Sequence, residues 1–168
     1  DLNFLDTENI KNILYIENQK DSSYIVNGVS FNANPLITNL FESDDKNNIS
    51  IFEKNFNLEI NIDKVYFDEI HSVKKLNGKL KIKNNNIVDA NILAFYNDDK
   101  NISFTIRTTD QGNKITTIFS SLAKPLVSRY KFIKGFKDDK DGFLDFYSSK
   151  KNGVSKSKLI IDNFKVKE

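Results

Sequence analysis

The chain has 168 residues and a mass of 19.4 kDa, the length of one ordinary domain. Hydrophobic residues make up 39% and charged residues 29%, which places it among folded globular chains and excludes a disordered polyelectrolyte. The formal net charge of +2 gives no electrostatic case for a nucleic-acid partner, and the absence of cysteine excludes disulfides, thiolate chemistry and cysteine-based zinc sites.

Fourteen Phe and six Tyr supply the bulky apolar mass, with no Trp or Met. A chain that opens on Asp1 and lacks Met is expected to be a processed protein or a segment of a longer one. No apolar run approaches the roughly 20 residues that a membrane-spanning helix needs. An anchor or export signal is expected to lie outside this segment. Lysine far outnumbers arginine, which occurs only as Arg107 and Arg129, and Asn is abundant; with Ile and Phe, this resembles the codon bias of an AT-rich genome and is read as background.

In chain order, the first departure from β patterning follows Ser30-Phe31-Asn32-Ala33-Asn34. Pro35 suits a first helical position, Asn34 an N-cap, and Leu36, Ile37, Leu40 and Phe41 one helical stripe. Phe56 to Asp63 then alternates strictly between apolar and polar, which predicts a strand with one dry face and one wet face. Leu80 to Lys83 and Ile102 to Arg107 repeat that pattern, while Val88 to Tyr96 is apolar on both faces and reads as a central strand. After Asp110-Gln111-Gly112-Asn113, the spacing of Ile115, Ile118, Phe119 and Leu122 predicts an amphipathic helix of about three turns ending near Pro125. Ser157 to Val166 alternates with one slip, the mark of a bulge.

Asn27-Gly28, Asn77-Gly78, Asn84-Asn85-Asn86, Asn97-Asp98-Asp99, Asp141-Gly142 and Asn152-Gly153 read as turns. Their close spacing favours an antiparallel meander. The expected architecture is mainly β: one long curved antiparallel sheet, an open trough or half-barrel, with a short helix over each end. No linker divides residues 1–168. A strand followed by a short helix occurs at both 22–43 and 102–123, a weak internal echo.

Catalytic readings find little to work with. His71 is the only histidine, and Asp68 and Glu69 are its nearest acids, so a surface histidine near a turn is the favoured reading. Asp138-Asp139-Lys140-Asp141-Gly142 begins like a calcium loop but lacks the remaining ligands, and a solvated hairpin tip is favoured. The serine pairs at 22–23, 120–121 and 148–149 sit in no nucleophile elbow. Arg129-Tyr130-Lys131-Phe132-Ile133-Lys134 has the alternation of a half-buried strand as well as that of a base-stacking platform. No enzyme, no metal and no cofactor is expected.

The last third carries a resemblance. Thr109-Asp110-Gln111-Gly112 leading into a short apolar segment, a glycine-bearing hairpin near Gly142, then Gly153 and Leu159-Ile160-Ile161-Asp162-Asn163-Phe164-Lys165-Val166, is similar to the carboxy-terminal region of AsmA-like envelope proteins of the YhdP type. Val29 to Ile37 resembles that family's strand-then-helix element. The resemblance implies a segment of a periplasmic protein whose parent chain is anchored in the inner membrane outside this region. It implies a trough that carries phospholipid acyl chains between inner and outer membranes in support of outer-membrane biogenesis, with the rest of the parent chain and envelope proteins as further partners.

On that reading the apolar lining is Phe56, Leu58, Ile60, Ile62, Leu80, Ile82, Ile102, Phe104, Ile106, Leu159 and Ile161. Asp110 and Gly112 would cap the second helix, Gly153 would serve the last hairpin, and Phe164 would belong to the terminal motif. The alternative expectation is a closed β-sandwich acting as a structural or protein-interaction domain without lipid transfer, because a sealed core demands the same alternation.

Overall fold

The computed structural model of the chain describes residues 1–37, 55–68, 70–84, 86–130, 136–137, 142–163 and 165–166. The alternating runs form β1 (Leu2–Leu5), β2 (Lys11–Asn18), β3 (Ser23–Asn32), β4 (Phe56–Tyr66), β5 (Ser72–Lys83), β6 (Asn86–Phe95), β7 (Asn101–Thr108), β8 (Lys114–Ser120), β9 (Phe136–Lys137), β10 (Phe143–Lys151), β11 (Val154–Asp162) and β12 (Lys165–Val166). Among the described residues two short helices interrupt them, α1 (Asn34–Ile37) and α2 (Lys124–Tyr130). Ten strands make one sheet in the order β1-β2-β3-β4-β5-β6-β7-β8-β10-β11, and β9 and β12 pair separately. The fold is mainly β, a long curved sheet that does not close, with two short helices.

One pair departs from the expected antiparallel meander. Strands β3 and β4 run parallel, with Val26 opposite Ile60 and Tyr24 opposite Leu58. Parallel neighbours need a crossover instead of a hairpin. The chain between Asn32 and Phe56 makes that crossover and carries α1 within it. The sheet is therefore mixed.

The predicted helix after Asp110 is a strand. Ile115, Ile118, Phe119 and Leu122 fit a helical stripe, but Lys114 to Ser120 is rich in β-branched and aromatic residues, and β7 beside it offers a complete ladder. Asp110 and Gly112 accordingly cap no helix. They form the β7–β8 turn, where Gly112 takes φ +76° and donates its N–H to the Thr109 carbonyl at 2.9 Å. The helix begins later, where the Ala123 carbonyl accepts the Val127 N–H at 2.9 Å.

The internal echo is also placed differently. Ala33-Asn34-Pro35-Leu36-Ile37 and Ala123-Lys124-Pro125-Leu126-Val127 share a pattern, and each follows a strand, β3 or β8. Both alanines are buried. Each donates its N–H to a neighbouring chain end, Ala33 to Tyr66 and Ala123 to Gly142. Each accepts the first helical bond, Ala33 from Ile37 and Ala123 from Val127. Capping at α1 falls to Asn32, whose Oδ1 accepts the Asn34 N–H at 3.0 Å, and not to Asn34. Leu40 and Phe41 lie outside the described residues.

Two predicted turns are strand interiors. Asn27-Gly28 lies within β3 and Asn77-Gly78 within β5. A Cβ at Gly28 would stand 2.6 Å from Leu14 Cδ2, and one at Gly78 would stand 2.9 Å from Ile92 Cγ1. These glycines admit a neighbouring side chain over the strand. Asn152 and Gly153, at φ 48° and 79°, do turn the chain between β10 and β11. The slip near Ile160 is no bulge, since β11 pairs with β10 without a register break from Val154 to Asp162. The register breaks sit elsewhere: in β5, where Lys75 takes φ 51° between Lys74 and Asn77 and again between Lys81 and Ile82, and in β2 between Ile13 and Leu14. Phe164 lies outside the described residues.

Buried side chains gather in two clusters. Leu14, Ala33, Ile62, Val65, Val73 and Ala94 form one, and Ala123, Val127 and Leu144 the other. Between them the Tyr96 hydroxyl meets Ser120 Oγ at 3.0 Å. Burial pushes the Tyr96 phenol up to about 12, against the lowering effect of the Ser120 bond. A raised phenol keeps its proton in the folded chain after the unfolded chain has lost it. Stability is thus retained below the ordinary value of 10.0 and lost as pH rises toward about 12. Urea midpoints should show that loss in the wild type and a smaller one in Tyr96→Phe, which should cost about 1 kcal/mol at neutral pH.

Candidate functional site

Strand register decides which side chains share a face. Ile16 lies opposite Val26, Val26 opposite Ile60, and Ile60 opposite Gly78. The row continues from Gly78 to Ile92, Ile92 to Phe104, Phe104 to Ile118, Ile118 to Phe146, and Phe146 to Leu159. It crosses every strand from β2 to β11 in the ten-stranded sheet without one polar side chain.

Rows on either side extend the face. Toward one end lie Tyr24, Leu58, Leu80, Ala90 and Ile106 in successive register. Toward the other lie Ile102, Ser120, Leu144 and Ile161. By register Phe56, Leu58, Ile60, Ile62, Leu80, Ile82, Ile102, Phe104, Ile106, Leu159 and Ile161 all point to this one face. The reverse face pairs polar groups, with Asn57 opposite Lys81 and Asn61 opposite Asn77. Glu59 and Lys79 form an exposed ion pair there at 3.3 Å.

Exposure is graded along the row. Ile16 at one rim is 49% exposed and Leu159 at the other 40%, whereas Ile60, Ile92, Phe104 and Ile118 between them are half-buried. That gradient fits a face curled inward, in which central side chains shield one another. Gly78 sits mid-row with Ile92 leaning across it, and Gly28 lies beneath Leu14. Ile62, Ile82, Ala90 and Ile106 of the same face are, by contrast, buried, Ile82 at 1% exposure.

Both helices occupy the same end of this trough. Ala123, Leu126 and Val127 pack on Leu144, Ile118, Phe146 and Ile161. Ala33 and Ile37 belong to the cluster with Ile62 and Leu14. Arg129 joins the two helices, donating from Nη1 to Asn34 Oδ1 at 2.7 Å and to the Phe67 carbonyl. Asn34 in turn donates to Glu8 Oε1 at 2.7 Å, and Asn32 donates to Asp6 Oδ2 and Glu8 Oε2, each at 2.8 Å. Hydrogen bonds to charged groups are the stronger kind, so this network braces a stopped end. Among the described residues neither apolar cluster reaches Leu58, Leu80, Ile92 or Phe104. At the far end Tyr24 and Phe56 meet edge to face, their ring centres 5.7 Å apart.

Sequence patterning missed Ile16, Val26, Ile92, Ile118 and Phe146 as members of the face. β6 is apolar in both phases, which hid Ile92, and the helical spacing in β8 claimed Ile118. Strict alternation is carried best by β4, β5 and β7.

The catalytic candidates are explained locally. His71 Nδ1 lies 2.9 Å from Asp68 Oδ2, and Asp68 Oδ1 accepts the N–H groups of Ile70 and His71 at 2.8 and 2.6 Å. Burial would raise the Asp68 carboxyl, but the His71 side chain and these N–H groups outweigh it and hold it below the ordinary carboxylate range. The pair closes the β4–β5 turn. Ser120 is buried, bonding Tyr96 and the Leu122 carbonyl. Among the described residues no three His, Cys, Asp or Glu side chains converge as metal ligands, and no helix is long and apolar enough to cross a membrane. Asp138 to Asp141 lie outside the described residues, as do 131–135 beyond Arg129 and Tyr130.

Gly78→Val should force Ile92 off its neighbour and cost about 1–3 kcal/mol, read as a lowered urea midpoint. Gly78→Ala should cost less, because it adds one methyl against Ile92 where valine adds three carbons.

Comparison of the chain with protein-family models, with curated proteins and with solved structures returned no match.

Proposed function

We propose that this chain is a non-catalytic lipid-binding segment, in which the apolar row from Ile16 to Leu159 solvates acyl chains. The supporting observation is that row: nine strands contribute to it, its rims are exposed, and its middle is half-buried. A contiguous apolar face of this kind is unusual on a monomer unless something binds it. About ten methylenes of an acyl chain laid along the row would supply roughly 8 kcal/mol before ordering costs. No polar catalytic group is needed for that.

The stopped end and the opposite mouth give the trough a direction. An acyl chain would enter at the Tyr24 and Phe56 end and extend toward α1 and α2. Together with the resemblance to AsmA-like envelope proteins, this supports a place in a periplasmic conduit for phospholipid between inner and outer membranes. The parent chain would then be anchored in the inner membrane, and the trough would work alongside neighbouring parts of that chain. A closed structural or interaction domain is the weaker reading, because among the described residues neither apolar cluster includes Leu58, Leu80, Ile92 or Phe104.

Native mass spectrometry of the purified chain should find phospholipid bound. Phe104→Asp should remove most of that lipid while shifting the melting temperature by only a few degrees, about 1 kcal/mol. Ile82→Asp should unfold the chain, because it buries an unpaired charge. Lipid-free protein, or equal unfolding by both substitutions, would point to a sealed core.

A further inference from the structure

The apolar face changes character toward its mouth on the β7 to β11 side. The row Phe104, Ile118, Phe146 and Leu159 is wholly apolar. One step toward the mouth, Ile106 lies opposite Thr116, Thr116 opposite Ser148, and Ser148 opposite Ser157. One step further, Thr108 lies opposite Lys114, Lys114 opposite Lys150, and Lys150 opposite Ser155. Two residues along a strand return to the same face, so these hydroxyls and both lysines stand on the trough side.

The lysine pair is out of keeping with stability alone. Like charges directly opposite on neighbouring strands repel. Among the described residues neither Lys114 nor Lys150 has a carboxylate within ion-pairing distance. The Glu59 and Lys79 pair shows that this sheet does match opposite charges across strands on its reverse face. Of the hydroxyls, Ser157 donates to Ser148 at 2.9 Å and Thr108 to the Val88 carbonyl at 2.7 Å. Their oxygens stay beside the lysines as further polar groups.

We propose that Lys114 and Lys150, with the Thr116, Ser148, Ser157 and Ser155 hydroxyls, form a binding site for the anionic head group of an amphiphile whose chain lies in the trough. The inference rests on the lipid-binding reading and names its ligand class: a long-chain molecule ending in a phosphate or carboxylate. Two ammonium groups on one anionic head remove the repulsion between them. Desolvation and the Lys150 charge both lower the Lys114 ammonium from its ordinary value, and a bound anion would restore it. The apolar rows hold the chain, the hydroxyl row lies at the boundary, and the lysine row meets the charge.

The test compares a fluorescent long-chain fatty acid with the fatty alcohol of the same chain, titrated into the full chain, with inorganic phosphate as competitor. The wild type should bind the acid roughly tenfold or more tightly than the alcohol, the scale of one charge-assisted hydrogen bond. Lys114→Gln/Lys150→Gln should bind both alike, at the affinity of the alcohol, and Lys150→Gln alone should fall between. Removing a like-charge repulsion should leave the melting temperature equal or higher, so these variants remain folded. Phosphate should compete only weakly, because it lacks the chain. Equal binding of acid and alcohol by the wild type, or an unchanged preference in the double variant, would overturn the head-group site and leave the apolar trough standing. Phosphate binding as tightly as the acid would make this a free-anion site. Failure of the alcohol to bind at all would count against the trough itself.

Discussion

Everything distinctive about this fold follows from one constraint: nine of the ten paired strands put a continuous apolar row on one side of a sheet that, among the described residues, has two short helices for cover. Alternation commits each strand to a dry side, and pairing aligns those sides. A sheet this wide then needs a second layer, a closed barrel, or a ligand. The chain spends its helices at one end. α1 and α2, joined through Arg129 and Asn34, seal the rows around Ile62, Ala94 and Leu144. In the remaining rows Ile82, Ala90 and Ile106 are buried, while Leu58, Leu80, Ile92 and Phe104 are half-buried.

Glycine placement serves the same surface. Gly28 and Gly78 lie on the apolar side, in strands flanking or crossing the middle of the sheet, and each is overlaid by a branched neighbour. A side chain at either position would lift Leu14 or Ile92. The two sites let bulky residues lie flat, which keeps the trough wide without leaving backbone exposed. The polar network of Asp6, Glu8, Asn12 and Asn32 does comparable work at the stopped end, where Asn12 donates to Asp6 and accepts the Asn32 N–H. Buried amides there are paired, so the end is rigid as well as closed.

How much of this was legible in the sequence depends on the strand. β4, β5 and β7 alternate cleanly, and their nine predicted lining residues fall on one face. β8 was misread because Ile115, Ile118 and Leu122 match a helical period, and only its pairing with β7 and β10 decides for the strand. Asn27-Gly28 and Asn77-Gly78 have turn chemistry, yet their glycines answer to packing against partners distant in sequence. The parallel β3–β4 pair left no local trace beyond Pro35. The repeated Ala-x-Pro-Leu motif, at Ala33 and Ala123, marks the start of both helices, and at α2 it is a better local signal than helical spacing. The lysine row escaped notice because Lys114 and Lys150 lie far apart in the chain and meet only through register.

The central claim is that acyl chains lie against one face of the sheet and not the other, and isoleucine supplies probes on both. Methyl NMR of isoleucine-labelled protein, titrated with a spin-labelled fatty acid, reads proximity to the chain residue by residue. The account predicts broadening of the Ile60, Ile92 and Ile118 methyls, with Ile115 and Ile160 on the reverse face left sharp. Equal broadening on both faces, or none on either, would contradict it.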